Sequence, residues 1–125
     1  MARSYDQFCP IAQTLDIIGE RWTLLILRDL LVFDKTKYSE LRQSLPGIPA
    51  RILSERLKKL MAYGLVTRSV YSQHPLRAEY HPTEKGRTLL PVLGIIARWG
   101  MDELLTEGER RLVREHIPAG RLPER

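Results

Sequence analysis

Apolar residues along the chain recur mostly at helical spacing, with one stretch whose composition is that of a strand. Ile11, Ala12, Leu15 and Ile18 fall three and four residues apart behind Pro10, which suits a first helical turn, and Gly19 is placed to end the run. This predicts a short amphipathic helix. Trp22 to Val32 is apolar on nearly every side, with Arg21, Arg28 and Asp29 the main exceptions, so this second helix belongs in the middle of a core. After a polar break from Asp34 to Lys37, Ser39 is expected to cap a third helix through Leu41 and Leu45, which Pro46 and Gly47 terminate. Pro49 suits the first position of a fourth helix, in which Leu53, Leu57, Leu60 and Gly64 follow at spacings of four, three and four.

Gly64 fits the left-handed position that closes a helix, and Leu65 to Tyr71, rich in Val, Thr and Tyr, then reads as a strand. A turn from Ser72 to Leu76 leads to a second strand, Arg77 to His81, and the pair forms a hairpin. Thr83 is expected to cap a fifth helix with Glu84 at its positive end and Leu89, Leu90, Leu93, Ile96, Ala97 and Leu104 on its apolar side. Pro91 is expected to kink it by deleting the bond to the Arg87 carbonyl. Thr106 and Glu109 form a T-x-x-E capping box before a charged helix that runs to about His116. The predicted organisation is one domain, residues 1–116, with a flexible tail at 117–125.

Composition narrows the class. The 125 residues, 43% hydrophobic and 28% charged, suit one globular domain. The longest nearly apolar run, Leu89 to Ala97, is broken by Pro91 and Gly94 and is far below the roughly 20 residues of a membrane span, so no membrane partner is expected. Met1 to Asp6 lacks the apolar block of a secretory signal and the sequence holds one cysteine, which points to the cytoplasm. His74, His81 and His116 do not stand at metal-ligand spacing, and neither a glycine-rich phosphate loop nor a nucleophile motif occurs. The expectation is therefore no metal, no cofactor and no catalysis.

Charge changes the picture more. Net charge is +5, and residues 48–87 alone hold eight bases (Arg51, Arg56, Lys58, Lys59, Arg68, Arg77, Lys85, Arg87) against three acids (Glu55, Glu79, Glu84), leaving the rest of the chain neutral as a set. A polyanion is the natural partner of such a segment, because each phosphate neutralised releases condensed counterions; a solvated basic face is the plain alternative.

The element order favours DNA over the plain alternative. Three helices, a tight turn, a fourth helix and a hairpin make a mainly α fold with a small β-hairpin, the layout of a winged helix-turn-helix. A helix about as wide as the major groove can present a short basic face to base edges while its apolar side stays packed. Arg51, Ser54, Glu55 and Lys58 share such a face on the fourth helix. Arg51 has the geometry for a bidentate guanine contact, Ser54 could meet a base edge and Lys58 a phosphate, each against the alternative of a solvated side chain. Pro49 and Ala50 at the helix start, Ser39 at an earlier helix start, and His74 and Arg77 on the hairpin complete the candidate DNA-binding set. Arg77 is the natural minor-groove probe unless a cross-strand ion pair holds it. Arg56 points away from the face and is expected to pair with a carboxylate inside the domain.

Trp22 and Trp99 read as core residues, with a small-molecule pocket as the alternative. Cys9 reads as a buried thiol or, near the N-terminus, as a site of oxidation. A winged-helix module that binds protein, using its basic face only for solubility, remains the rival function.

Cys9-Pro10-Ile11-Ala12 and Gly19-Glu20-Arg21-Trp22-Thr23-Leu24-Leu25-Ile26-Leu27 resemble the opening of HxlR-type transcriptional regulators, relatives of the MarR group. Tyr38-Ser39-Glu40-Leu41-Arg42, Leu45-Pro46-Gly47-Ile48, Leu53-Ser54-Glu55-Arg56-Leu57, Gly64-Leu65-Val66, Glu79-Tyr80, Thr83-Glu84-Lys85-Gly86 and Trp99-Gly100 continue the resemblance in order, so that it spans Cys9 to about Leu104. It implies a homodimer on double-stranded DNA that reads a pseudo-palindromic operator with its fourth helix and wing, most simply as a repressor. It also implies dimer contacts from the first and last helices, which makes Ile11, Leu15, Trp22, Leu93, Ile96 and Trp99 candidates for the seam or an effector pocket there. Some relatives sense oxidants or electrophiles through a cysteine in the region of Cys9. Pro49 departs from the pattern, standing where members often have a capping serine.

Overall fold

The computed structural model describes residues 8–118 and 121. The expectations for Met1 to Asp6, and for the tail at 119–120 and 122–125, lie outside the described residues.

Among the described residues seven helices and one hairpin follow each other as α1 (Pro10–Ile18), α2 (Arg21–Leu31), α3 (Tyr38–Ser44), α4 (Ala50–Ala62), β1 (Val66–Gln73), β2 (Leu76–Pro82), α5 (Glu84–Arg87), α6 (Leu90–Leu104) and α7 (Glu107–His116). The order is that of a winged helix-turn-helix. α2 is central because it is apolar on most sides: it packs against α1, α3, α4, α6 and β2. The fully buried side chains Ile26, Leu27, Leu41, Leu45, Leu53, Leu57 and Leu60 come from α2, α3, α4 and the turn between the last two. Burying each is worth about 1.5–3 kcal/mol relative to exposure, so this seam is what holds α4 in place. Among the described residues no helix is long and apolar enough to cross a membrane.

Local signals set most boundaries. Thr83 accepts from the Gly86 N–H at 3.0 Å, and Thr106 and Glu109 form the expected reciprocal box at 3.2 and 2.8 Å. α4 ends in a Schellman motif: Gly64 sits at φ +74°, Leu65 N–H bonds the Leu60 carbonyl at 2.9 Å and Gly64 N–H that of Met61 at 3.0 Å. β1 and β2 are antiparallel, running from Val66 opposite Pro82 to Gln73 opposite Leu76, with Tyr71 as the extra residue of a bulge between Val70 and Ser72. The strands are longer and the turn shorter than expected. Tyr80 N–H donates to the Thr36 carbonyl at 2.7 Å, tying the hairpin to the α2–α3 connection.

Four expectations are corrected, and Asp29 adds a buried charge that none of them covered. Ser39 does not cap α3: the helix starts at Tyr38, and Glu40 reaches back to the N–H groups of Lys37 (3.0 Å) and Thr36 (3.4 Å), doing from within the first turn what a preceding hydroxyl would do. These backbone donors, opposed by slight burial, hold the Glu40 carboxyl below its ordinary pKa. Pro49 is the residue before α4 and not its first. Pro91 does not kink a single long helix; the chain breaks after α5, and Pro91 occupies the first turn of α6, where its missing N–H would have had no helical acceptor. Asp29 is fully buried in the core helix, with one carboxylate oxygen gripped by Arg28 at 3.0 and 3.1 Å. Trp99 is no core residue: it is 62% exposed, as are Ile11, Leu15, Ile95, Ile96 and Leu104 to similar degrees. Part of the apolar surface of α1 and α6 thus faces outward, while Ile17, Leu90 and Leu93 pack against the core and Ile18 is the one fully buried residue of α1.

At the other end, Arg121 donates to the Leu31 carbonyl at 3.3 Å and pairs with Asp34, while the rings of His116 and Phe33 lie 5.2 Å apart. Both contacts tether the C-terminal region to the end of α2.

Candidate nucleic-acid interface

α4 presents Arg51, Ser54, Glu55 and Lys58 to solvent while Leu53, Leu57 and Leu60 face the core, the division that the spacing predicts. Arg51 is 77% exposed and pairs with Glu55 one turn on at 3.0 Å. A surface pair of this kind is worth about 0.3–0.5 kcal/mol, so a phosphate or guanine edge can take the guanidinium from it. Lys58 has no ion pair among the described residues.

Three tethers fix the helix that carries this face. At its start the Tyr38 hydroxyl donates to the Ala50 carbonyl at 3.2 Å and lies 3.2 Å from Ser54 Oγ. In its middle Arg56 Nε bonds Glu20 Oε2 at 3.0 Å, the inward pairing expected for Arg56. Near its end Lys59 Nζ donates to the Asp16 carbonyl of α1 at 2.7 Å, so this charge serves the fold. The same Glu20 oxygen accepts from Thr23 N–H at 3.0 Å and caps α2. Burial works to raise the Glu20 pKa, but the backbone donors Thr23 and Trp22 together with Arg56 outweigh it and leave it lowered.

Between α3, α4 and the hairpin lies an open cleft of about 570 Å³ lined by Tyr38, Ser39, Ser54, Arg68, Tyr71, Leu76, Arg77, Ala78 and Tyr80. It brings together Ser39, Ser54 and Arg77 of the predicted set. Arg51 and Lys58 lie outside this lining on the same helix as Ser54, and His74 is exposed at the hairpin turn. Pro49 is exposed and Ala50 partly buried at the start of α4. Among the described residues Arg77 makes no cross-strand ion pair; Glu79 bonds His81 instead, at 3.3 Å. The cleft also holds Arg68, Tyr71 and Tyr38, which pattern reasoning left out. Arg68 could have been found as the basic residue of β1 within the charged segment. Tyr71 is aimed by a bulge, and Lys37 Nζ stands 6.0 Å from its ring centroid. Neither feature has a local sequence signal.

The six candidate seam residues divide. Trp22 and Leu93 pack against the core as partly buried residues, whereas Ile11, Leu15, Ile96 and Trp99 stand exposed on α1 and α6. Cys9, just before α1, is partly buried. Among the described residues no group of three or more His, Cys, Asp or Glu could hold a metal ion.

The model of the HxlR-like helix-turn-helix family matches residues 17–108, which takes in α2 to α6, the cleft and both strands. The chain belongs to the HxlR-like helix-turn-helix family. YvaP, an HTH-type transcriptional regulator of Bacillus subtilis strain 168, is 40% identical over 97 residues, 77% of this chain and 89% of YvaP. A protein of Porphyromonas gingivalis W83 assigned to the MarR family of transcriptional regulators superposes with a TM-score of 0.73 at 34% identity, over 82% of this chain and all of that one. The redox regulator HypR in its oxidised form does so with a TM-score of 0.69 at 36% identity, over 78% of this chain and all of HypR. This HxlR-like protein is accordingly a transcriptional regulator of the winged helix-turn-helix type, a DNA-binding class.

Proposed function

We propose that the protein represses transcription as a homodimer, placing its two α4 helices in successive major grooves about one helical turn apart on a pseudo-palindromic operator. The observation that carries this reading is the outward α4 face, Arg51, Ser54 and Lys58, on the helix that meets the hairpin at a cleft lined by Ser54, Arg68 and Arg77. The apolar sides of α1 and α6, left in solvent by a single chain, supply the surface for the second copy. The place of work is the cytoplasm, where DNA and polymerase meet.

A contrast between two variants tests the roles. Arg51→Ala is expected to relax base preference at one position of each half-site, because a bidentate arginine discriminates between bases by about 1–3 kcal/mol. Lys58→Ala is expected to weaken binding to every duplex alike and to lower the slope of log K against log salt by about 1 per bound site. Electrophoretic mobility shifts over a salt series measure both. Parent-like binding by both variants would remove α4 from the interface.

An oxidant is the effector that fits best, through Cys9. HypR is named a redox regulator, and its oxidised and reduced forms both resemble this chain. Two Cys9 thiols meeting across the dimer would yield one disulfide, with two protons and two electrons passing to the oxidant. Non-reducing electrophoresis after diamide treatment is expected to show a crosslinked dimer that Cys9→Ser abolishes; an uncrosslinked parent with unchanged DNA affinity would dismiss this input. A small molecule lodged between the exposed faces of α1 and α6 is the other class of signal.

A further inference from the structure

The Tyr38 hydroxyl sits between two oxygens, the Ala50 carbonyl and Ser54 Oγ, each 3.2 Å away. It carries one hydrogen, and a carbonyl can only accept, so that hydrogen goes to Ala50. The bond between Tyr38 and Ser54 then needs the serine's hydrogen. Ser54 donates to Tyr38 Oη, and what it has left to offer is lone pairs alone. Its hydroxyl is exposed on the reading face of α4 and lines the cleft. A free serine hydroxyl rotates to give or take a hydrogen bond and therefore tells bases apart poorly. This one is locked. Pro49 supplies no side-chain cap to α4, so the tyrosine is also the contact that pins the helix's first turn to α3.

The geometry assigns Tyr38 as a positioning residue for sequence reading: by fixing Ser54 as an acceptor it makes that serine select a base with an exocyclic amine, adenine through N6 or cytosine through N4, in the major groove. Guanine O6 and thymine O4 at the same place would set one acceptor against another. The assignment rests on α4 being the helix that enters the groove.

Tyr38→Phe keeps the ring in its packing site and removes only the hydroxyl, so it should fold as the parent does and unfold only a few degrees lower, the weight of one part-buried hydrogen bond. The full chain, Tyr38→Phe, Ser54→Ala and the double variant are each put through selection from a randomised duplex library. The parent is expected to select adenine or cytosine at one position per half-site. Tyr38→Phe should admit guanine and thymine there, with discrimination falling about 2- to 10-fold, the weight of one neutral hydrogen bond. Preferences elsewhere and the salt slope should not move. Ser54→Ala should lose the same preference, and the double variant should add nothing to it. If Tyr38→Phe keeps the preference at every position, or loses affinity uniformly in step with a lowered melting temperature, the assignment is overturned while α4 keeps its role. If Ser54→Ala and Arg51→Ala both select the parent's sequence unchanged, α4 is not the reader and both readings fall.

Discussion

Replacing both Ile96 and Trp99 with aspartate is expected to turn the protein into a monomer and to cut operator affinity by about 100- to 10 000-fold. The reason lies in where α6 leaves its apolar residues. Val92, Ile95, Ile96 and Trp99 stand three, four and seven residues apart, one continuous stripe on the helix, and every one of them is exposed in the single chain. Ile11 and Leu15 on α1 make a second, smaller stripe of the same kind. Monomeric domains seldom leave such surface in water, and covering one large apolar side chain is worth about 1.5–3 kcal/mol. Two carboxylates at the centre of the seam forfeit that gain twice over in a symmetric dimer and add the cost of burying charge. The loss on DNA follows from linkage: once one half-site is held, the second binds as an intramolecular step, and a monomer gives up that advantage of about two to four orders of magnitude. Sedimentation velocity and a mobility shift on a two-half-site duplex measure the two effects. Because neither side chain supports the core of its own chain, far-ultraviolet dichroism should be retained. A variant that stays dimeric, or that binds the full site as tightly as the parent, would place the seam elsewhere.

How much of this was legible beforehand depends on the range of the interaction. Caps and closures written within a few residues could be read directly: Thr83 onto Gly86, Thr106 with Glu109, the left-handed Gly64 and the two-sided division of α4. Competition between adjacent signals misled. Ser39 and Glu40 both mark a helix start, and a carboxylate able to take two backbone N–H groups prevailed over a single hydroxyl. Periodicity announces an apolar side but not what covers it, so Trp99 read as core although the described residues leave it exposed. Pro91 fits a kink or a fresh start equally well until the break at Thr88 and Leu89 is seen. The candidate site was half visible. Arg51, Ser54 and Lys58 share a face by spacing alone, whereas Tyr38 reaches Ala50 and Ser54 across twelve and sixteen residues, and no local pattern encodes that distance.

Glu20 joins the start of α2 to α4 through a single oxygen, and its removal is the second large effect expected. Oε2 accepts from Thr23 N–H at 3.0 Å, from Thr23 Oγ1 at 3.3 Å and from Arg56 Nε at 3.0 Å. Glu20→Ala loses a helix cap, worth about 1 kcal/mol. It also takes the nearer of two carboxylates from the partly buried Arg56 guanidinium, which keeps Glu55 at 3.8 Å; such a charged bond is worth about 1.5–3 kcal/mol when fully enclosed and less here, where both side chains retain some exposure. The sum is about 2 kcal/mol, or about 8 °C in melting temperature for a chain of this size, seen by calorimetry. Acid should act on the same contact. The folded Glu20 pKa lies below its ordinary value of 4.5, so the stability it contributes is complete above that value and is lost as pH falls through the lower folded one. Glu40 and Glu109, lowered by their own backbone donors, titrate in the same direction and add to the acid sensitivity. Glu20→Gln keeps an acceptor oxygen but no charge; it should cost less than alanine at neutral pH and flatten part of the decline below about pH 4.5. Since Arg56 and Lys59 hold α4 to the segments on either side of Gly19, Glu20→Ala should also lower operator affinity at temperatures well below unfolding. An alanine variant with the parent's melting temperature and the parent's acid profile would show that Arg56 finds another partner and that the capping carboxylate is dispensable.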